Sequence, residues 1–273
     1  WAGAGTFTYG TSNLTMTGTD KKINYIGDYS VYDLTINGTI TLHEYKYGGA
    51  TAIQPKGDLT VGASKTLSSN NQENIVISDN SNTAITIGTP ATGIAGLYSL
   101  RFRQAGSINL PACTTPRVLI QNGTDNTVVA TGDLTITEEL QVDSGFTFNA
   151  NGNTIATKVL DANGGTVNLS NSTLNFSVSS SGDSFDLDNN STLTTGNTTI
   201  TGYSSADKTP TYLPSSAGFE VVGDVKWLKM QEDADLTVVG SVVDCLLNHS
   251  TANIRQWHHT LDTQQLLDAD SAG

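Results

Sequence analysis

Apolar and hydroxylated residues alternate with a period of two along most of the chain. In "YDLTINGTITL" (32–42), Leu34, Ile36, Ile40 and Leu42 fall on one parity, while Thr35, Thr39 and Thr41 fall on the other. Leu59 and Val61 repeat the pattern in "GDLTVGASKTL" (57–67). So do Leu134, Ile136, Leu140 and Val142 in "GDLTITEELQV" (132–142), and Leu236 and Val238 in "ADLTVVGSVV" (234–243). One parity apolar and the other hydroxylated is the signature of a strand with one face in a core. NG, GD, NGN, NGG and SGD separate these stretches and predict tight turns. No stretch before residue 255 keeps a 3.6-residue period, so the predicted class is all-β.

The repeated Asp-Leu-Thr then sets a spacing. Asp33, Asp58, Asp133 and Asp235 lie 25, 75 and 102 residues apart in succession. The larger gaps are close to multiples of the first. "AITI" (84–87) and "SINL" (107–110) supply weaker rungs, and "TVNL" (166–169), "SFDL" (184–187), "TTIT" (198–201) and "FEVV" (219–222) continue less regularly. A fixed period of this order marks a repeat array. Three short strands and three turns fill one coil of about 25 residues, so the chain is predicted to be a parallel β-helix. Leu34, Ile36, Leu59, Val61, Leu134, Ile136, Leu236 and Val238 are expected to stack as its inward ladder. The recurring Asp is expected at the corner before each strand, accepting backbone N–H bonds. A β-sandwich is the rival; it explains alternation and turns but not a common period.

The β-helix is expected to span 1–252. Within it, 96–120 reads as an irregular insert with Pro111 and Pro116 at corners, and 203–219 as a projecting loop. Residues 253–273 lose the alternation. They read as a short helical or irregular C-terminal cap, with Asp262 and Gln265 able to form a capping box, or as the start of a following segment.

Charge narrows the partners. Only 14% of the 273 residues are charged and the net charge is −13, which disfavours nucleic acid and anionic membranes. No apolar run reaches the ~20 residues that span a bilayer, so no membrane insertion is expected. The Thr-rich, Lys-poor acidic surface suits an extracellular or virion-surface protein. The chain opens at Trp1 without Met and reads as a processed product or an excised segment. Cys113 and Cys245 read as two buried small hydrophobes or as a disulfide closing a long loop. No C-x-x-C pair points to zinc.

The strongest candidate for chemistry is "SGDSFDLDNN". Asp183, Asp186 and Asp188 could hold calcium or act as an acid pair, set against a solvated outer face plus a turn Asp. "TEEL" (137–140) and "EDAD" (232–235) read as solvated faces. His43, His249, His258 and His259 lack a ligand spacing, and no nucleophile elbow or phosphate loop is present. No catalytic residue, metal or cofactor is therefore assigned. Tyr45 and Tyr47, on one parity of "HEYKYGG" (43–49), could stack on a sugar or pack against another subunit.

The stretch "GTFTYGTSNLTMTGTDKKINYIGDYSVYDLTINGTITL" (5–42) resembles the repeats of large β-solenoid surface proteins, found in bacterial adhesins and in structural proteins of tailed phages. The resemblance implies an extended, non-catalytic component: a virion fibre, a capsid or tail decoration, or a bacterial surface filament or adhesin. It carries over no functional residues. The expected function is assembly and surface display, with further copies, other virion or surface subunits, or cell-surface glycans as partners. The alternatives are a polysaccharide depolymerase or lyase on a β-helix scaffold, and a carbohydrate-binding module.

Overall fold

The structure is a computed structural model. It describes residues 10–25, 29–44, 52–78, 83–103, 106–121, 123, 125–176, 185–188, 191–194, 199–201, 212–213, 219–222, 225–230, 235–239, 242–247 and 253–257. The fold is all-β, with parallel ladders stacked as a β-solenoid of about 7 turns and no helix among the described residues. The parallel pairing excludes the sandwich. The chain divides into two compact units, Trp1–Thr137 and Glu138–Gly273.

In the first unit, Asn13–Tyr25, Asp33–Glu44, Leu59–Val61 and Ile85–Ile87 form one sheet in that order, and Thr66–Ser69 pairs with the far half of Asp33–Glu44. Tyr29–Val31, Ala52–Pro55, Asn74–Ile77, Ser99–Phe102 and Cys113–Ile120 follow one another in a second sheet. Gly106–Leu110 and Asn126–Ala130 pair in a third. The inward parity builds the core: Leu34, Ile36, Leu59 and Val61 are wholly buried and lie in register, Leu34 on Leu59 and Ile36 on Val61. Burying each such side chain stabilises the fold by about 1.5–3 kcal/mol, but only once the neighbouring coil is in place.

In the second unit, Thr147–Asn149, Thr166–Asn168 and Thr192–Thr194 make one sheet. Thr154–Asn163 pairs through its first half with Thr173–Phe176 and through its second with Phe185–Asp188, and Thr173–Phe176 pairs onward with Thr199–Thr201. Phe148, Val167, Leu160, Ala162 and Leu174 are fully buried. Further along, Phe219–Val222, Asp235–Val239 and Asn253–Trp257 form one ladder, and Tyr212–Leu213, Val225–Met230 and Val242–Leu247 another.

Four expectations are corrected. The coil is not uniformly about 25 residues long. Leu59 follows Leu34 by 25 and Ile85 follows Leu59 by 26. Val167, however, follows Phe148 by only 19, and Leu236 follows Phe219 by 17. Strands must stay in register, so coils differ in length at their corners: the two residues 37–38 are answered in the next coil by the four residues 62–65. Second, the Leu34–Leu59 column continues to Ile85 and not to Leu134. Leu134 and Ile136 are buried, but their strand stands in the sheet of Cys113–Ile120. The gap of three times 25 had concealed shorter coils, and Ser107 likewise leaves the Asp column, since Ile108 pairs with Val128. Third, the segment 96–120 is no irregular insert. It holds three ladder strands, Ser99–Phe102, Gly106–Leu110 and Cys113–Ile120, with Pro116 inside the last. Fourth, residues 253–257 form a ladder strand rather than a cap; the remainder of the expected cap lies outside the described residues. So does most of 203–219, apart from Tyr212–Leu213 and Phe219.

Candidate functional surface

The outward parity of the first sheet is built from small polar side chains in columns. Thr15, Thr35, Thr60 and Thr86 occupy successive rungs, flanked by the column Asn13, Asp33. β-branched Thr is stiff at χ1 and fits the pleat. Hydroxyls bond between coils: Thr41 Oγ1 lies 3.2 Å from Ser68 Oγ, and Thr35 Oγ1 donates to Asn13 Oδ1 at 3.4 Å.

The recurring Asp has a defined task. Asp33 Oδ1 accepts the Asp58 N–H at 2.8 Å, and Asp58 Oδ1 accepts the Ala84 N–H at 2.9 Å. Each carboxylate therefore holds the corner of the next coil, not its own. Gly57 precedes Asp58 because a Cβ there would strike the Asp33 carboxylate and the Tyr32 ring.

The second unit solves its corner locally. Asn149 Oδ1 accepts the Asn151 N–H at 2.9 Å, and one coil later Asn168 Oδ1 accepts the Ser170 N–H at 3.0 Å. Asn151 and Asn171 both adopt left-handed backbone, with φ of 53° and 56°, which Asn tolerates better than most residues. The stacked turns join through the backbone, Ala150 N–H to Asn168 O at 2.9 Å and Leu169 N–H to Thr194 O at 2.7 Å. These turns were missed in the sequence. Their signal is the pair N-A-N-G-N and N-L-S-N-S, 19 residues apart.

The candidate residues fall as follows. Asp186 and Asp188 take the rungs beside Asp161 and Asn163 in a parallel ladder, while Asp183 lies outside the described residues. Tyr45, Tyr47, His249, His258 and His259 also lie outside them. Leu236 pairs with Phe219 and Ile254, and Val238 with Val221 and Gln256. His43 is on the strand Asp33–Glu44, with Nδ1 buried and without a hydrogen-bond partner. Among the described residues, no three His, Cys, Asp or Glu side chains gather closely enough to share a metal ion. No helix among them is long and apolar enough to cross a membrane.

Among the described residues, two groups carry altered acidity. Cys113 is a buried free thiol, and its burial pushes its pKa up to about 12. It packs as a small hydrophobe and is a poor nucleophile. Partial burial raises the Asp143 carboxyl, against the opposing effect of a 2.9 Å hydrogen bond from Gln141 Nε2. Elsewhere, Arg117 lies 4.4 Å over the Tyr98 ring, and Arg101 Nε donates to Ser99 Oγ at 3.2 Å. The first lies between neighbouring coils and the second within the strand Ser99–Phe102.

Comparison of the chain with protein-family models, with characterised proteins and with solved structures found no match.

Proposed function

We propose that this chain is a non-catalytic structural protein, a solenoid segment of a virion fibre or decoration or of a bacterial surface filament or adhesin, acting in assembly and surface display. One observation carries the reading: in the first unit the repeated acid is spent on the backbone of the next coil, Asp33 on Asp58 N–H and Asp58 on Ala84 N–H. A carboxylate used this way serves stacking, and its repetition serves length. The composition supports a surface location, and the likeness of residues 5–42 to adhesin and phage repeats supports the assembly role. Partners are further copies or neighbouring structural subunits. The test is electron microscopy of the virions or cells that carry the chain, decorated with an antibody against it. Regular labelling along a fibre, capsid, tail or cell surface is expected; label confined to free soluble protein would overturn the reading.

A catalytic alternative, a polysaccharide depolymerase, has one observation in its favour: Asp161 and Asp186 share a rung position on adjacent coils. Glycoside cleavage needs such paired acids. Release of new sugar ends from a polysaccharide panel, abolished by Asp161→Ala or Asp186→Ala, would favour it over the structural role. Sugar binding without such release would favour the carbohydrate-binding module.

A further inference from the structure

We propose that Asn151-Gly152 and Asn163-Gly164 are sites of spontaneous deamidation, and that buried serine hydroxyls of the next coil lock their reactive backbone nitrogens. The inference holds whichever surface role is correct. Asn151 and Gly152 are the central residues of a turn closed by the Asn153 N–H on Ala150 O at 3.0 Å, and their φ values are 53° and 78°. A turn with left-handed backbone at both central positions favours Asn-Gly. The same pair is chemically labile, because glycine has no side chain to keep its nitrogen away from the preceding amide carbon. Gly164 follows Asn163 with φ of 74°. Asn151, Gly152 and Asn163 are exposed, so water reaches both side-chain amides.

The reaction needs only solvent water. The glycine nitrogen gives its proton to water and attacks Asn Cγ. The N–Cγ bond forms, the Cγ–Nδ2 bond breaks, and Nδ2 leaves as ammonia after taking up a proton from water. A second water then opens the succinimide. Its attack at Cγ leaves aspartate. Its attack at the main-chain carbonyl leaves isoaspartate, in which the backbone runs through the side chain and gains a methylene. A corner lengthened in that way disturbs the register of the strands it joins.

The first step requires a free glycine nitrogen, and the fold withholds both. Gly152 N–H donates to Ser172 Oγ at 3.0 Å, and Gly164 N–H donates to Ser191 Oγ at 2.9 Å. The two serines are buried, only 3% and 7% exposed. Each stands immediately before a strand of the next coil, Thr173–Phe176 for one and Thr192–Thr194 for the other, in two different sheets. Each hydroxyl is oriented by a carbonyl, so that a lone pair is left for the glycine: Ser172 Oγ donates to Ser170 O at 3.2 Å, and Ser191 Oγ donates to Ala162 O. At the first site Asn153 Nδ2 also donates to the Asn151 carbonyl at 3.2 Å, which holds the other side of the same peptide. Attack therefore waits for local opening of the corner, when the next coil's hydroxyl lets go. A cap that merely stabilised the turn would leave deamidation to global unfolding.

The test incubates the parent chain, Ser172→Ala and Ser191→Ala at mildly alkaline pH and follows aspartate and isoaspartate at each asparagine by peptide mapping and mass spectrometry. Losing one such hydrogen bond raises the open population about five-fold. Ser172→Ala should therefore speed deamidation at Asn151 about five-fold and leave Asn163 at the parent's rate, and Ser191→Ala should do the reverse. An unchanged rate at the matched asparagine, or an equal rise at both, would overturn the proposal. Should a variant lose its fold, hydrogen exchange of the parent decides. Exchange at the Gly152 and Gly164 N–H groups slower than in the denatured chain supports the lock, and exchange at the denatured rate overturns it.

Discussion

The two units hold neighbouring coils together by different means. Around Asp33, Asp58 and Ala84 a side chain reaches across to the next coil, so residue identity at one rung depends on the backbone of another. Around Asn149 and Asn168 each of these two side chains closes its own turn, and the coils join through backbone groups and through the Ser172 hydroxyl, which accepts the Gly152 N–H at 3.0 Å. The first arrangement demands a carboxylate wherever the N–H at the next coil's corner is held, as at Asp33 and Asp58. The second needs only a residue competent for the turn. Sequence repetition is therefore conspicuous around Asp33 and Asp58 and faint around Asn149 and Asn168, although both are parallel ladders over fully buried apolar residues.

Each unit has fully buried apolar columns of its own, so the largest effects should be equal across the comparison. Phe148→Ala should cost about 3–5 kcal/mol and Leu59→Ala about 2–5 kcal/mol, since each leaves a cavity in a fully buried column. Denaturant melts of the two variants check this. If Leu59→Ala proved far milder, the first unit would be held chiefly by its polar ladder.

The corner residues should separate the units. Asp58→Ala removes the acceptor of the Ala84 N–H and should cost about 1 kcal/mol, whereas Asp58→Asn keeps an acceptor and should cost less. Because Asp58 also receives the loss of Asp33 through its own N–H, the double variant Asp33→Ala/Asp58→Ala should be non-additive. Asn149→Ala should also cost about 1 kcal/mol, but should add simply to Asn168→Ala, because neither side chain bonds the other coil. Additivity in both pairs would mean that the two units hold these corners in the same way.

This difference also explains what could be read from the chain beforehand. Alternation revealed the strands, and the 25-residue step from Asp33 to Asp58 revealed the solenoid, because these two carboxylates are held by contacts between coils. The variation in coil length could not be read, because the corners absorb insertions without disturbing register, as 62–65 does against 37–38. Segment 96–120 looked irregular because its prolines and shorter spacing masked a ladder that Leu100 continues directly to Val118. The candidate surface was legible only as far as the Asp carboxylates. The Asn turns bond over two residues, a pattern that any Asn-rich loop can show.

Cys113 reports on the first unit's core. In a Cys245→Ser background it should resist thiol reagents in the folded state and react fully in denaturant. Its folded value of about 12 lies above the ordinary 9.0, so its contribution to stability is complete below the ordinary value. That contribution is lost as pH rises through the interval between the two, because the unfolded thiol ionises first. Rapid labelling at neutral pH without denaturant would show that the column around Cys113 opens more readily than its burial implies.

The smallest effect is expected at Asp143, in the second unit. Its carboxyl is raised by burial, and only the Gln141 amide favours its charged form. A raised value means that ionisation opposes folding, so Asp143 favours the fold most at acid pH and least once ionised. Asp143→Asn should accordingly leave the melting temperature unchanged or slightly higher at neutral pH. The difference should shrink as pH falls through the carboxylate range and the parent takes up its proton. The Asp143 carbonyl keeps its bond from the Phe146 N–H in either form, so the turn itself survives the change. A clear loss at neutral pH would mean that the charged form is held by more than Gln141. The second unit would then, like the first, depend on an acid whose charge the fold requires.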